Sequence, residues 1–105
     1  MAIAAVSIYP LGQGESVSRY VAEAEKVFAA KPNLKRELGP MFTTLEGDLD
    51  EIMAAVREAQ EVLFAAGALR VATSIKIDDR RDKAVTMEGK IKAVEDKLKK
   101  TQEPE

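Results

Sequence analysis

Ser7, Tyr9, Thr44 and Glu46, joined by Phe42 and Ser74, are the side chains here whose types and spacing suit chemistry. They sit in two short stretches, Ser7-Ile8-Tyr9-Pro10-Leu11-Gly12 and Thr43-Thr44-Leu45-Glu46-Gly47-Asp48, and in a later Ala72-Thr73-Ser74. A spacing of two places side chains on one face of a strand. If these strands are neighbours, hydroxyls, rings and one carboxylate share a single face. Short hydroxyls donate and accept without filling space, a carboxylate accepts, and rings offer flat apolar surface. Such a floor, on the side of a sheet that helices leave bare, reads as part of a small-molecule pocket completed by a second subunit.

Composition narrows the classes. The chain has 105 residues, enough for one core and too few for two. With 46% hydrophobic and 32% charged residues it matches folded, water-exposed domains, not disordered or membrane-spanning ones. Histidine and cysteine are both absent, which removes the commonest general base, thiol nucleophiles and the usual zinc and iron–sulfur ligands. A carboxylate-only magnesium or calcium site stays open on composition, but no EF-hand spacing appears, and no metal ligands are assigned. A formal charge of −2 disfavours phosphate-driven nucleic-acid binding. The expectation is a non-catalytic protein. The start lacks the basic flank of an export signal and there are no cysteines to bridge, so the expected location is the cytoplasm.

The elements that must position these residues follow from periodicity. Ala2–Tyr9 reads as a strand ending at Pro10. After the loop Leu11-Gly12-Gln13-Gly14, Ser16 is placed to cap a helix whose apolar positions are Val17, Tyr20, Val21, Ala24, Val27 and Phe28, ending before Pro32. Leu34–Leu38 alternates weakly, Gly39-Pro40 turns the chain, and Met41–Gly47 alternates again. Asp48 and Glu51 have the spacing of a capping box opening a second helix with Ile52, Val56, Ala59, Leu63 and Ala66 on one side and Gly67 at its end. Leu69–Ile77 is the last strand, followed by the charge cluster Asp78–Lys83. Thr86 is placed to cap a third helix bearing the stripe Met87, Ile91, Val94 and Leu98.

The order strand, helix, strand, strand, helix, strand, plus a C-terminal helix, predicts an α+β fold. It is the ferredoxin-like βαββαβ sandwich with an antiparallel four-stranded sheet and an extra helix. Residues 1–100 are expected to form one domain and 101–105 a flexible tail. Strand one then lies between strands three and four. Ala4, Val6, Ile8, Leu45 and the odd-numbered Val71–Ile77 set face the helices. Ile3, Ala5, Ser7, Tyr9, Phe42, Thr44, Glu46, Ala72, Ser74 and Lys76 face away. A register slip of one residue would exchange the two sets.

Several stretches together resemble the thiamine-binding protein family, over about residues 3–98. They are Ser7-Ile8-Tyr9-Pro10-Leu11-Gly12, Ser16-Val17-Ser18-x-Tyr20-Val21-Ala22, Pro40-Met41 with Thr44-x-Glu46-Gly47, Arg70-Val71-x-Thr73-x-Ile75-Lys76-Ile77-Asp78-x-Arg80, and Lys83-x-x-Thr86-Met87-Glu88. The resemblance implies a small cytoplasmic protein, dimeric or a dimer of dimers, that binds thiamine or its hydroxymethylpyrimidine half without further cofactor. Phe42 stands where relatives often carry glycine. On this reading Glu46 accepts from the exocyclic amine or a protonated ring nitrogen, Tyr9 and Phe42 meet the flat or cationic ring, and Ser7, Thr44 and Ser74 supply hydroxyls.

Plainer roles stand beside these. Tyr9 and Phe42 also serve as packing residues, Ser7 and Thr44 as bonds across a subunit contact, and Glu46 as the partner of Lys76. The alternative function is a structural or regulatory homo-oligomeric module without a small-molecule ligand. RNA recognition shares the strand order but asks for aromatic residues on a basic sheet face. An acylphosphatase-like site asks for an anion-cradling loop, where this chain has the acidic Glu15.

Overall fold

The structure, a computed structural model, describes residues 1–102. The elements are β1 (Ala2–Pro10), α1 (Ser18–Ala29), β2 (Lys35–Leu38), β3 (Thr43–Gly47), α2 (Leu49–Ala65), β4 (Val71–Asp79) and α3 (Met87–Gln102). The sheet is antiparallel in the order β2-β3-β1-β4, which is the ferredoxin-like α+β arrangement with an added C-terminal helix.

Strand parity falls as the alternation predicts. On β1, Ala2, Ala4, Val6 and Ile8 are buried beneath the helices while Ile3, Ala5, Ser7 and Tyr9 point to the other side. Register carries this across the sheet: Ala4 lies opposite Leu45 and Ile77, Val6 opposite Thr43 and Ile75. Helices α1 and α2 pack on each other and on β1, contributing Tyr20, Ala24, Val27 and Phe28 from one and Ile52, Ala55, Val56, Ala59 and Leu63 from the other. Leu45, Ile52 and Leu63 are fully enclosed.

Helix ends show the capping chemistry. The Asp48 carboxylate accepts from the Glu51 N–H at 3.2 Å and opens α2. The helix closes at Gly67, whose φ of +113° suits a residue without Cβ; the Gly67 and Ala68 N–H groups reach back to the Phe64 and Leu63 carbonyls. Thr86 Oγ1 accepts from the Gly89 N–H at 3.0 Å and opens α3.

Some boundaries differ from the expectation. Helix α1 starts at Ser18, not after Ser16; the Val17 carbonyl takes the first-turn N–H groups of Tyr20 and Val21, and no side chain caps it. Strand β3 begins at Thr43, so Phe42 lies in the turn, where its carbonyl accepts from the Gly39 N–H at 3.0 Å. A Cβ on residue 39 would come within 2.7 Å of that carbonyl, which explains glycine there. Strand β4 runs two residues later than expected, because Asp78 and Asp79 keep register with Ile3 and Ala2. Helix α3 includes Thr101 and Gln102; residues 103–105 of the expected tail lie outside the described residues. Beyond Met87, α3 buries nothing through Lys100, and Ile91, Val94 and Leu98 are exposed. Together with overall dimensions of 58 × 30 × 19 Å, this makes α3 a projecting arm.

Candidate functional site

Four cross-strand rows make up the face opposite α1 and α2. The first is Lys35, Glu46, Ile3 and Asp78, the second Glu37, Thr44, Ala5 and Lys76. The third pairs Ser7 with Ser74, and the fourth Tyr9 with Ala72. Ser7, Tyr9, Thr44, Glu46 and Ser74 therefore do share one face. They do not share one spot: Glu46 is level with Ile3, six residues from Tyr9, or about 20 Å along the strand.

The first row is occupied. Glu46 is only 7% exposed, and its Oε1 accepts from the Met87 N–H at 2.8 Å. A carboxylate at a helix start meets both unsatisfied N–H groups and the positive end of the helix dipole. Glu88 pairs with Lys35, and Lys90 with Asp78. One turn of α3 is thus fastened to β2, β3 and β4 at a single row, with the Met87 side chain buried there. The Lys35 pair holds the Glu88 carboxyl below its ordinary range, and the hydrogen bond from Lys90 does the same for Asp78. Glu46 finds its partner in the α3 backbone and not in Lys76.

The other end is open. Tyr9 is 40% and Phe42 53% exposed, Ser74 is exposed, and Ser7 and Thr44 are half-buried. Strand β3 pairs with β1 only as far as Thr43 opposite Val6, so Ser7–Pro10 has a strand partner on the β4 side alone. The notch left where β3 gives out is a cleft of about 230 Å³. Ser7 and Tyr9 line it from β1, Phe28 and Glu25 from α1, and the turn Gly39–Phe42 with Thr43 from the far side. Glu25 is 12% exposed and accepts a hydrogen bond from Thr43 Oγ1.

Ser7, Tyr9 and Phe42 thus gather at the cleft, Thr44 and Ser74 lie on the adjoining open face, and Glu46 stands apart under α3. Sequence reasoning passed over Glu25 and Thr43. Glu25 follows Ala24 and precedes Val27 and Phe28, one step off the buried stripe of α1, and that position was its available signal. The Asp78–Lys83 cluster is largely paired within itself, Arg80 with Asp82 and Arg81 with Asp79. Among the described residues no group of His, Cys, Asp or Glu is arranged to hold a metal ion, and no helix is long and apolar enough to cross a membrane.

The sheet order, the bare face and the cleft at its rim define the class as a ferredoxin-like α+β domain. Its particular kind follows from comparison with known proteins. The model of the family described as thiamine-binding protein matches residues 4–95, and the chain belongs to that family. The UPF0045 protein YqgV of Bacillus subtilis is 46% identical over 98 residues, covering 90% of this chain and 94% of its own. The UPF0045 protein MJ1052 of Methanocaldococcus jannaschii is 51% identical over 92 residues, with 88% and 90% covered. The crystal structure of MJ1052 superposes with a TM-score of 0.83 at 49% identity, covering 90% of this chain and 95% of that one. A candidate thiamine biosynthesis/salvage protein of Thermotoga maritima, TM0486, gives a TM-score of 0.75 at 25% identity, with 89% and 97% covered.

Proposed function

We propose that this protein binds thiamine or its hydroxymethylpyrimidine moiety without catalysing a reaction, in a pocket on the sheet face opposite α1 and α2, closed by a second copy of the chain. The observation that carries this is the open end of the face: two half-exposed rings, Tyr9 and Phe42, beside Ser7, Thr44 and Ser74, with small Ala5 and Ala72 leaving room. Family membership supplies the ligand class. Rings take the flat heterocycle and stabilise the thiazolium cation by roughly 0.5–2 kcal/mol, while the hydroxyls orient it.

Glu46 enters the pocket as the facing copy's contribution, because within one subunit it is too far from Tyr9 to share a ligand. Its Oε1 is committed to Met87, and its second oxygen takes no hydrogen bond among the described residues. The homo-oligomer, a dimer or a dimer of dimers in the cytoplasm, has a physical motive. A chain of this size with a bare sheet face and an exposed Ile91-Val94-Leu98 arm gains burial by pairing. Those same exposed surfaces favour a second reading, a ligand-free homo-oligomeric module.

Calorimetry against thiamine, hydroxymethylpyrimidine and thiamine phosphate separates the two. Saturable binding is expected, and silence from all three leaves the ligand-free module. Glu46→Gln is expected to weaken binding without unfolding the chain; unchanged affinity takes Glu46 out of the site. Light scattering at micromolar concentration should give a dimer or larger, and a monomer contradicts the shared pocket.

A further inference from the structure

We infer that Glu25 is the anchoring carboxylate of the ligand site, accepting hydrogen bonds from an amine or protonated ring nitrogen that enters the cleft beside Tyr9 and Phe42. This rests on the binding function proposed above and moves its charged contact from the clamped end of the sheet to the open one, and from the bare face to the α1 side of the cleft at the strand edge.

Charge supports it first. Glu25 is the one charged residue lining the cleft; the rest of the lining is aromatic, aliphatic or hydroxylic. A carboxylate in mostly apolar walls, its one cationic partner held at 3.5 Å outside the cleft lining, selects a cation or an N–H donor. Geometry adds that the carboxylate is held in place and not used up. Thr43 Oγ1 donates to its Oε1. Arg36 reaches Oε2 only at 3.5 Å, from a groove between α1 and β2 that adjoins the cleft along Val21, Glu25 and Leu38, and Arg36 itself does not line the cleft. A carboxylate offers about four acceptor directions, so some remain for a ligand on the cleft side. Burial makes the carboxylate a selective contact: at 12% exposure water competes weakly for those directions. Position completes the case. Thr43, the residue that orients Glu25, directly follows the Phe42 ring and precedes Thr44 on the open face, so ring stacking and amine recognition are set by one three-residue stretch. The ligand class is therefore an amino-substituted or cationic heteroaromatic ring.

The test is calorimetry of the whole chain with hydroxymethylpyrimidine and with the same pyrimidine lacking its exocyclic amine. Wild-type protein should prefer the amino compound at least 10-fold, and Glu25→Gln should reduce affinity for it at least 10-fold and erase the preference. Equal binding of both pyrimidines by wild type, or unchanged affinity in Glu25→Gln, overturns the assignment while leaving ligand binding intact. Wild-type silence toward both pyrimidines and thiamine removes the binding function and this assignment together. Should Glu25→Gln not fold, the side-chain carboxyl 13C resonance of Glu25 in wild-type protein must move on titration with hydroxymethylpyrimidine; a stationary resonance overturns the assignment equally.

Discussion

The two ends of the bare sheet face carry similar residue types and do opposite things with them. At the Glu46 end every strand but β1 lends a charged side chain to the first turn of α3, and the polar groups there are paired. At the Tyr9 end the hydroxyls and rings have no element above them, β3 stops short, and a cleft opens. Polar residues on a sheet face are thus not themselves a binding signal. What separates the fastened end from the open one is whether the same chain already supplies the partner.

The sharpest way to break this contrast is at Glu46. Glu46→Ala removes the acceptor of a buried N–H and leaves a helix start uncompensated, which costs roughly 1–3 kcal/mol. Urea unfolding should report that loss, and limited proteolysis should cut within α3 faster. A variant as stable as wild type, with α3 equally protected, shows that the clamped end is not held by this bond.

At the opposite end the expected response is in affinity. Phe42→Ala removes a ring that is 53% exposed, so stability should move by less than about 0.5 kcal/mol. Loss of stacking or cation–π contact should lower thiamine affinity by about 2- to 30-fold. If affinity holds and stability falls, Phe42 is packing and the two ends are alike.

Much of the scaffold was legible because its causes are local. Strand parity follows from alternation, and Asp48, Gly67 and Thr86 announce helix ends through short-range hydrogen bonds or a positive φ. The site was legible only to the extent that parity determines it, giving one shared face for Ser7, Tyr9, Thr44, Glu46 and Ser74. How far along the strands each residue sits was hidden, because pairing register is a long-range property. The Glu46–Met87 bond spans 41 positions, and nothing near Glu46 in the chain marks Met87 as its partner. Glu25 was hidden for a related reason: it becomes a cleft residue only because β3 begins no earlier than Thr43. Ser16 failed as a cap because α1 starts at Ser18, which puts Val17 and not Ser16 at the N-cap position.

A third measurement weakens the clamp at its own cap. Thr86→Ala removes the acceptor of the Gly89 N–H and should cost ~1 kcal/mol in local stability. The effect should be confined to amide exchange in the first turns of α3. Spread of faster exchange into β3 would mean that the arm supports the sheet, reversing the dependence drawn here.

The smallest effect is the pH response of the clamp's exposed ion pairs, and its sign is fixed by the direction of each shift. Glu88 and Asp78 titrate below their ordinary values of 4.5 and 3.8, so their contribution is present above those values and lost as pH falls through the depressed ones. Lys35 titrates above 10.5, so its contribution is complete below that pH and lost as pH rises through the raised value. Protection of the first α3 amides should therefore be flat from about pH 5 to 10 and fall on both sides. Because these pairs are exposed, molar salt should lower the plateau itself. The Glu46 bond, being buried, should resist salt, so residual protection at high salt measures its share. A plateau that vanishes entirely in molar salt would mean that surface charge alone holds α3 and that the Glu46–Met87 bond contributes nothing measurable to the clamp.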